Sequence, residues 1–158
     1  MVNQQKEWMM QKIISEFAPT IEMFNLSSSE ARLFTFLYLY GDPMTLDEMS
    51  EALGKSKTTM STSVRSLVDA NLVTRVWRKG VRKDLYQANA HLFKSFMHTS
   101  ITKWIDATSN QRESLEELLT SMKEEQNNQG VISLRGRLQN IIAFHHQIEA
   151  AFQKMKNN

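Results

Sequence analysis

Between Met44 and Leu72 two short amphipathic stretches meet at one glycine, and that spacing leaves the chain few ways to fold. Thr45 and Glu48 stand at capping-box separation, so Thr45 can cap a backbone N–H while Glu48 reaches back to it. Leu46, Met49 and Leu53 recur at i, i+3 and i+7, which gives a helix one apolar stripe. Gly54 ends that helix, because a residue without Cβ enters the left-handed region at little cost. Ser56 caps a second helix whose apolar face is Met60, Val64 and Leu67. The outer face of this second helix carries Lys57, Thr58, Ser61, Thr62 and Arg65, and no acid occurs from Lys55 to Val68. Short hydroxyls and long cations without acids suit a groove lined by base edges and phosphates.

A basic hairpin is predicted next. Val73 to Trp77 and Leu85 to Ala88 are rich in β-formers and bracket Arg78-Lys79-Gly80-Val81-Arg82-Lys83, where Gly80 permits the turn. Four cations at one tip repel one another, and a phosphate backbone would relieve the repulsion. From Gly54 to Asp84 eight Lys/Arg face two acids, a local charge of +6 in a chain of +2 overall. The basic field is therefore directed and not spread over the surface. A helix, a tight turn, a helix and a basic hairpin make a winged helix-turn-helix. The expected DNA contacts are Lys55, Ser56, Lys57, Thr58, Ser61, Thr62 and Arg65 on the helix and its cap. Arg78, Lys79, Arg82 and Lys83 join them from the wing. Lys57, Thr58, Ser61 and Thr62 are expected to read bases, and Arg65 and the wing to hold phosphate.

The remainder reads as helices, which makes the fold mainly α. Trp8, Met9, Ile13, Phe17 and Ile21 predict an amphipathic helix over residues 4 to 23. Asn25 to Glu30 is a helix entry, and the helix that follows to Tyr40 is apolar nearly all round, as a layer sandwiched between others must be. Ala90 to Asp106 predicts a helix, Thr108-Ser109-Asn110 a break, Gln111 to Gln126 a second helix and Asn127 to Gly130 a loop. In the last helix Leu134, Leu138, Ile141, His145, Ile148, Phe152 and Met155 make a heptad row. A homodimer built from the terminal helices is the expectation, with internal packing as the alternative. Two heads would then read two half-sites of an inverted repeat. The domains are thus residues 1–25 and 89–158 for dimerisation and 26–88 for the winged head.

Several classes are excluded or disfavoured. There is no cysteine, so disulfides and thiolate metal sites are out. No apolar run approaches a membrane span, and the N-terminus lacks the apolar stretch of a signal peptide, so a cytoplasmic location is expected. His91 and His98 lie two turns apart, and His145, His146 and Glu149 form an ordinary cluster, so no metal and no cofactor are expected. No HExxH, phosphate-loop or nucleophile-elbow pattern is present, and no enzyme is expected.

The runs MTLDEM (Met44 to Met49), SKTTMSTSV (Ser56 to Val64) and KGVRK (Lys79 to Lys83) resemble the GbsR family of MarR-like repressors. Phe93, Phe96, Lys103 and Trp104 also match that pattern, and the resemblance covers about Leu33 to Trp104. Ser63 stands where the family usually has glycine, and the sequence stops soon after its last helix, short of the family's C-terminal extension. The resemblance implies repression of genes for glycine betaine synthesis or import, with choline as the releasing ligand and glycine betaine as an opposing one. A quaternary ammonium ion cannot donate N–H bonds and is held by aromatic faces. The candidate cage is Trp8, Phe36, Tyr40, Phe96 and Trp104, with Trp104 at the matching family position. The alternatives are a MarR-like regulator with another effector or none, and a protein–protein adaptor that uses the winged helix for docking.

Overall fold

A computed structural model describes residues 1–122 and 128–157. The elements in order are α1 (Val2–Glu22), α2 (Ser28–Tyr40), α3 (Leu46–Leu53), α4 (Lys57–Asp69), β1 (Val73–Val76), β2 (Leu85–Ala88), α5 (Leu92–Met122) and α6 (Gln129–Lys156). They group into two compact units, Met1–Phe96 and Met97–Asn158, with α5 running through the boundary. This grouping by packing places α1 with the head. The expected assignment of 1–25 and 89–158 to a dimer concerns a partner chain and is a separate matter.

In the first unit α2 is the central layer. Ala31, Leu33, Phe34, Phe36 and Leu37 are all buried, and buried Thr35 satisfies its hydroxyl by donating to the Ala31 carbonyl at 2.8 Å. The helix enters through a reciprocal capping box. Glu30 N–H donates to Ser27 Oγ at 3.1 Å, and Ser27 N–H donates to the Glu30 carboxylate at 3.3 Å. Gly41, at φ 85°, ends it in the left-handed region. Around α2 pack Ile14, Ala18 and Ile21 of α1, Met49 of α3, and Met60, Val64 and Leu67 of α4.

The buried stripe of α1 overlaps the predicted one only in part, since Ile21 is buried and Phe17 packs against the core. Ile14, Ala18 and Ile21 face the core, while Trp8, Met9 and Ile13 are exposed. The helix carries two apolar stripes, and one of them is buried in the first unit.

The helix-turn-helix follows the prediction with one change. Thr45 Oγ1 accepts from Glu48 N–H at 3.2 Å and donates to the Glu48 carboxylate at 3.1 Å. Glu48 thus meets the hydroxyl and not the backbone N–H that a full capping box would use. Gly54 takes φ 64° and ψ 29°, and Ser56 caps α4 by accepting from Thr59 N–H at 3.1 Å. β1 and β2 pair antiparallel, with Val73 opposite Ala88 and Val76 opposite Leu85. Buried Met44 adds a one-residue third strand, exchanging both backbone bonds with Tyr86 at 2.9 Å. That bridge ties the hairpin to the entry of α3. Trp77, predicted in the first strand, lies beyond it.

In the second unit the predicted break at 108–110 is absent. α5 runs through it because the Thr108 hydroxyl donates to the carbonyls of Trp104 (2.6 Å) and Ile105 (3.1 Å) of the preceding turn, a bond made without leaving the helix. Of the predicted helix 111–126, residues 123–126 lie outside the described residues. So does Asn127 of the predicted loop. Gln129 and Gly130 belong to α6 and not to a loop, because Asn128 caps that helix by accepting from Gly130 N–H at 2.9 Å.

α5 and α6 are antiparallel. His145 Nδ1 lies 3.1 Å from the Thr108 carbonyl, Arg112 Nε donates to Glu149 at 2.7 Å, and Trp104 rests on Phe152 with centroids 5.5 Å apart. Leu138 and His145 of the heptad row are buried, whereas Leu134, Ile141 and Met155 are exposed. The row therefore divides between a face spent inside the unit and an outward face, which Phe144 joins.

Candidate nucleic-acid interface

Two contacts seat α4 against α2. Ser66 Oγ donates to the free oxygen of Glu30 at 2.7 Å, and the Ser29 and Ser63 hydroxyls lie 3.2 Å apart. Burial pushes the Glu30 carboxyl up, but hydrogen bonds from Ser66 and Ser27 outweigh it and hold the group below its ordinary range. Ser63 has a partner for its hydroxyl: its buried side chain meets Ser29 and not an apolar wall.

With its apolar face so fixed, α4 turns Lys57, Thr58, Thr62 and Arg65 to solvent, with Ser61 half-buried. Lys55 and Ser56 are exposed just ahead of it, and Arg78, Lys79, Arg82 and Lys83 are exposed on the hairpin. Some of these groups already have partners. Ser56 Oγ is spent on the cap and on Thr59 Oγ1 at 2.8 Å. Thr62 donates its proton to the Thr58 carbonyl at 3.1 Å. Across the hairpin Arg75 pairs with Asp84.

Asp47 is a residue that sequence reasoning missed. It sits in the first turn of α3, with Lys57 Nζ 3.3 Å from Oδ1 and Lys83 Nζ 2.8 Å from Oδ2. Lys83, and after it Lys57, holds the Asp47 carboxyl below its usual range, and Asp47 in turn holds the Lys83 ammonium above its own. One carboxylate therefore brings the start of α4 and the base of the wing to the same place. A cavity of about 240 Å³ opens there, lined by Asp47, Lys57, Arg82, Lys83 and Asp84 among others. A charge count begun at Gly54 excludes Asp47. The tight turn itself was the available signal, since it returns the start of α4 to the start of α3. Trp77, 81% exposed beside the basic tip, was also passed over as a candidate for stacking or sugar contact.

Of the five predicted cage aromatics, Phe36 and Phe96 are buried in one core cluster. Phe36 and Tyr40 stack at 6.2 Å, one helical turn apart. Phe96 is buried with its centroid 4.9 Å from Phe34 and 5.1 Å from Phe24. Trp8 is 61% exposed, with Lys12 Nζ 6.0 Å from its ring. Trp104 belongs to the second unit and lies on Phe152. Among the described residues no three metal-ligating side chains converge, and no helix is long and apolar enough to cross a membrane. His145 and Glu149 have the partners named above.

Residues 24–82 match the family model described as MarR family. That MarR match begins just after α1, runs to the wing tip and takes in each predicted DNA contact except Lys83. The chain is also 38% identical over 97 residues to "HTH-type transcriptional repressor OpcR" of Bacillus subtilis (strain 168), a match covering 61% of this chain and 52% of that one. It is 37% identical over 92 residues to "HTH-type transcriptional repressor GbsR" of the same organism, covering 58% and 51%. The chain spans about half the length of the curated relatives it matches. A crystal structure described as that of a transcriptional regulator superposes with a TM-score of 0.59 at 16% identity, covering 94% of this chain and 99% of the other. This likeness supports the fold, a mainly helical winged helix-turn-helix.

Proposed function

We propose that the chain is a transcriptional regulator that binds double-stranded DNA, with α4 in the major groove and the hairpin along the adjoining phosphates. It acts as a homodimer on an inverted repeat and catalyses no reaction. The observation that carries this reading is the outer face of α4, with no acid of its own from Lys57 to Val68, next to the wing: Lys57 and Lys83 reach one carboxylate, so helix and hairpin present their cations together. The MarR family match and the two relatives named as repressors support it. The outward row Leu134, Ile141 and Met155, with Phe144 beside it, supports the homodimer, because large exposed apolar side chains at heptad spacing gain most from a second copy of the helix.

The test is a salt titration with duplex DNA. Replacing Arg78, Lys79, Arg82 and Lys83 together by Ala should weaken all duplexes. It should also flatten the plot of log affinity against log salt by about 0.9 for each lost phosphate contact. An unchanged slope would place these cations away from DNA.

The finer reading is repression of glycine betaine genes with choline as the releasing ligand, supported by the motif resemblance and the GbsR match. A second reading, a MarR-like regulator with another effector or none, is favoured by the rings themselves. Phe96 is spent on the core, Phe36 and Tyr40 on each other, and Trp104 on Phe152. Thermal shift decides between them. Choline should raise the melting temperature of the wild type and not of Trp104→Ala. A wild type indifferent to millimolar choline selects the second reading.

A further inference from the structure

We propose that Asp47 is a specificity-determining residue, an internal counter-ion that keeps Lys57 and Lys83 from arbitrary phosphate while fixing the direction of both. The proposal rests on the DNA-binding reading above. Each oxygen of Asp47 takes one lysine, at 3.3 and 2.8 Å, so the carboxylate pairs with two of the cations expected on DNA. Fold stability does not explain the arrangement. The side chains of Asp47, Lys57 and Lys83 are 46%, 61% and 66% exposed, and exposed pairs of this kind contribute little to folding.

The two kinds of complex feel such an anion unequally. Non-specific binding draws essentially all its affinity from phosphate attraction. An anion that competes for two cations and repels the approaching backbone weakens it in full. A complex with the recognised sequence also has base contacts, and in it the two lysines arrive already ordered. Part of the cost of immobilising long side chains is then met before binding, which offsets the repulsion. Asp47 therefore lowers affinity for any duplex and lowers it most for the wrong one.

The experiment compares the full chain with Asp47→Asn by fluorescence anisotropy across a salt series. Two duplexes of equal length serve as probes, one enriched from a random pool by the wild type and one scrambled. The variant should bind the scrambled duplex about threefold to tenfold tighter, with a slope against log salt steeper by up to about 0.9 for each freed lysine. Binding to the enriched duplex should gain less, so the ratio of the two affinities falls. Asp47→Glu, which keeps the charge, should stay near wild type. Adding Lys83→Ala to Asp47→Asn should remove part of the gain on the scrambled duplex. Equal changes on both duplexes, no change on either, or losses on both would overturn the proposal. If Asp47→Asn fails to fold by circular dichroism, Asp47→Ser carries the same comparison. A wild type without salt-dependent duplex binding would overturn the DNA-binding reading, and this inference with it.

Discussion

Glu30 caps α2 with one oxygen and braces α4 with the other, so one side chain joins two helices. Glu30→Ala should destabilise the chain by about 1–2 kcal/mol in urea unfolding, through the lost cap and the lost bond from Ser66. Glu30→Gln isolates the charge. The folded pKa lies below the ordinary 4.5, so the charge-dependent stability is present above that value and is lost as pH falls through the folded pKa. The stability gap between wild type and Glu30→Gln should close on acidification below about pH 4.5, and a gap independent of pH would show that the charge contributes nothing. Thr62 makes a different statement. Its proton is donated to Thr58, so toward a base it has only a lone pair to offer. In the proposed complex its partner is an amine-bearing base, adenine or cytosine. Selection from random duplexes should show that preference at one position per half-site, and Thr62→Ala should erase it at a cost of about 1–3 kcal/mol. These hydroxyls and cations were legible as a surface. Their existing partners were not, since Asp47 and Glu30 come from other helices and reach α4 only through the fold.

The element most legible in the sequence was the helix-turn-helix, because its signals are local: a threonine cap, an apolar stripe, a glycine and a serine cap. Gly54 can be tested directly. A Cβ there meets nothing within 4 Å, so the penalty of Gly54→Ala is that of the left-handed backbone at φ 64° alone. Urea unfolding should show a loss of about 1 kcal/mol with an unchanged m value, and Gly54→Asn should lose less. A loss well above that would mean that the turn carries contacts beyond its backbone shape. The break expected at Thr108-Ser109-Asn110 was misread because polar residues favour helix ends only when their side chains capture free backbone groups. Thr108 instead bonds to the turn before it. The stripe of α1 is legible only in part, for another reason. Periodicity reports that a helix has an apolar face, and when it has two, only the neighbouring helix decides which is buried.

For the whole molecule the decisive feature is the outward row on α6, where Leu134 is 60% and Phe144 56% exposed. Ile141→Glu combined with Phe144→Glu should give a monomer by sedimentation and lower the affinity for a two-half-site duplex far more than for a single half-site. An intact dimer would place the interface elsewhere. The heptad spacing was legible, but its division was not, because Leu138 and His145 are buried within the unit, His145 against the Thr108 carbonyl of α5, and the neighbouring positions are left outside. If a second copy completes the surface of the chain, dilution acts as a denaturant, and each tenfold drop in concentration removes about 1.4 kcal/mol from the association part of its stability. The number of copies of the protein then decides how much of it is fit to work.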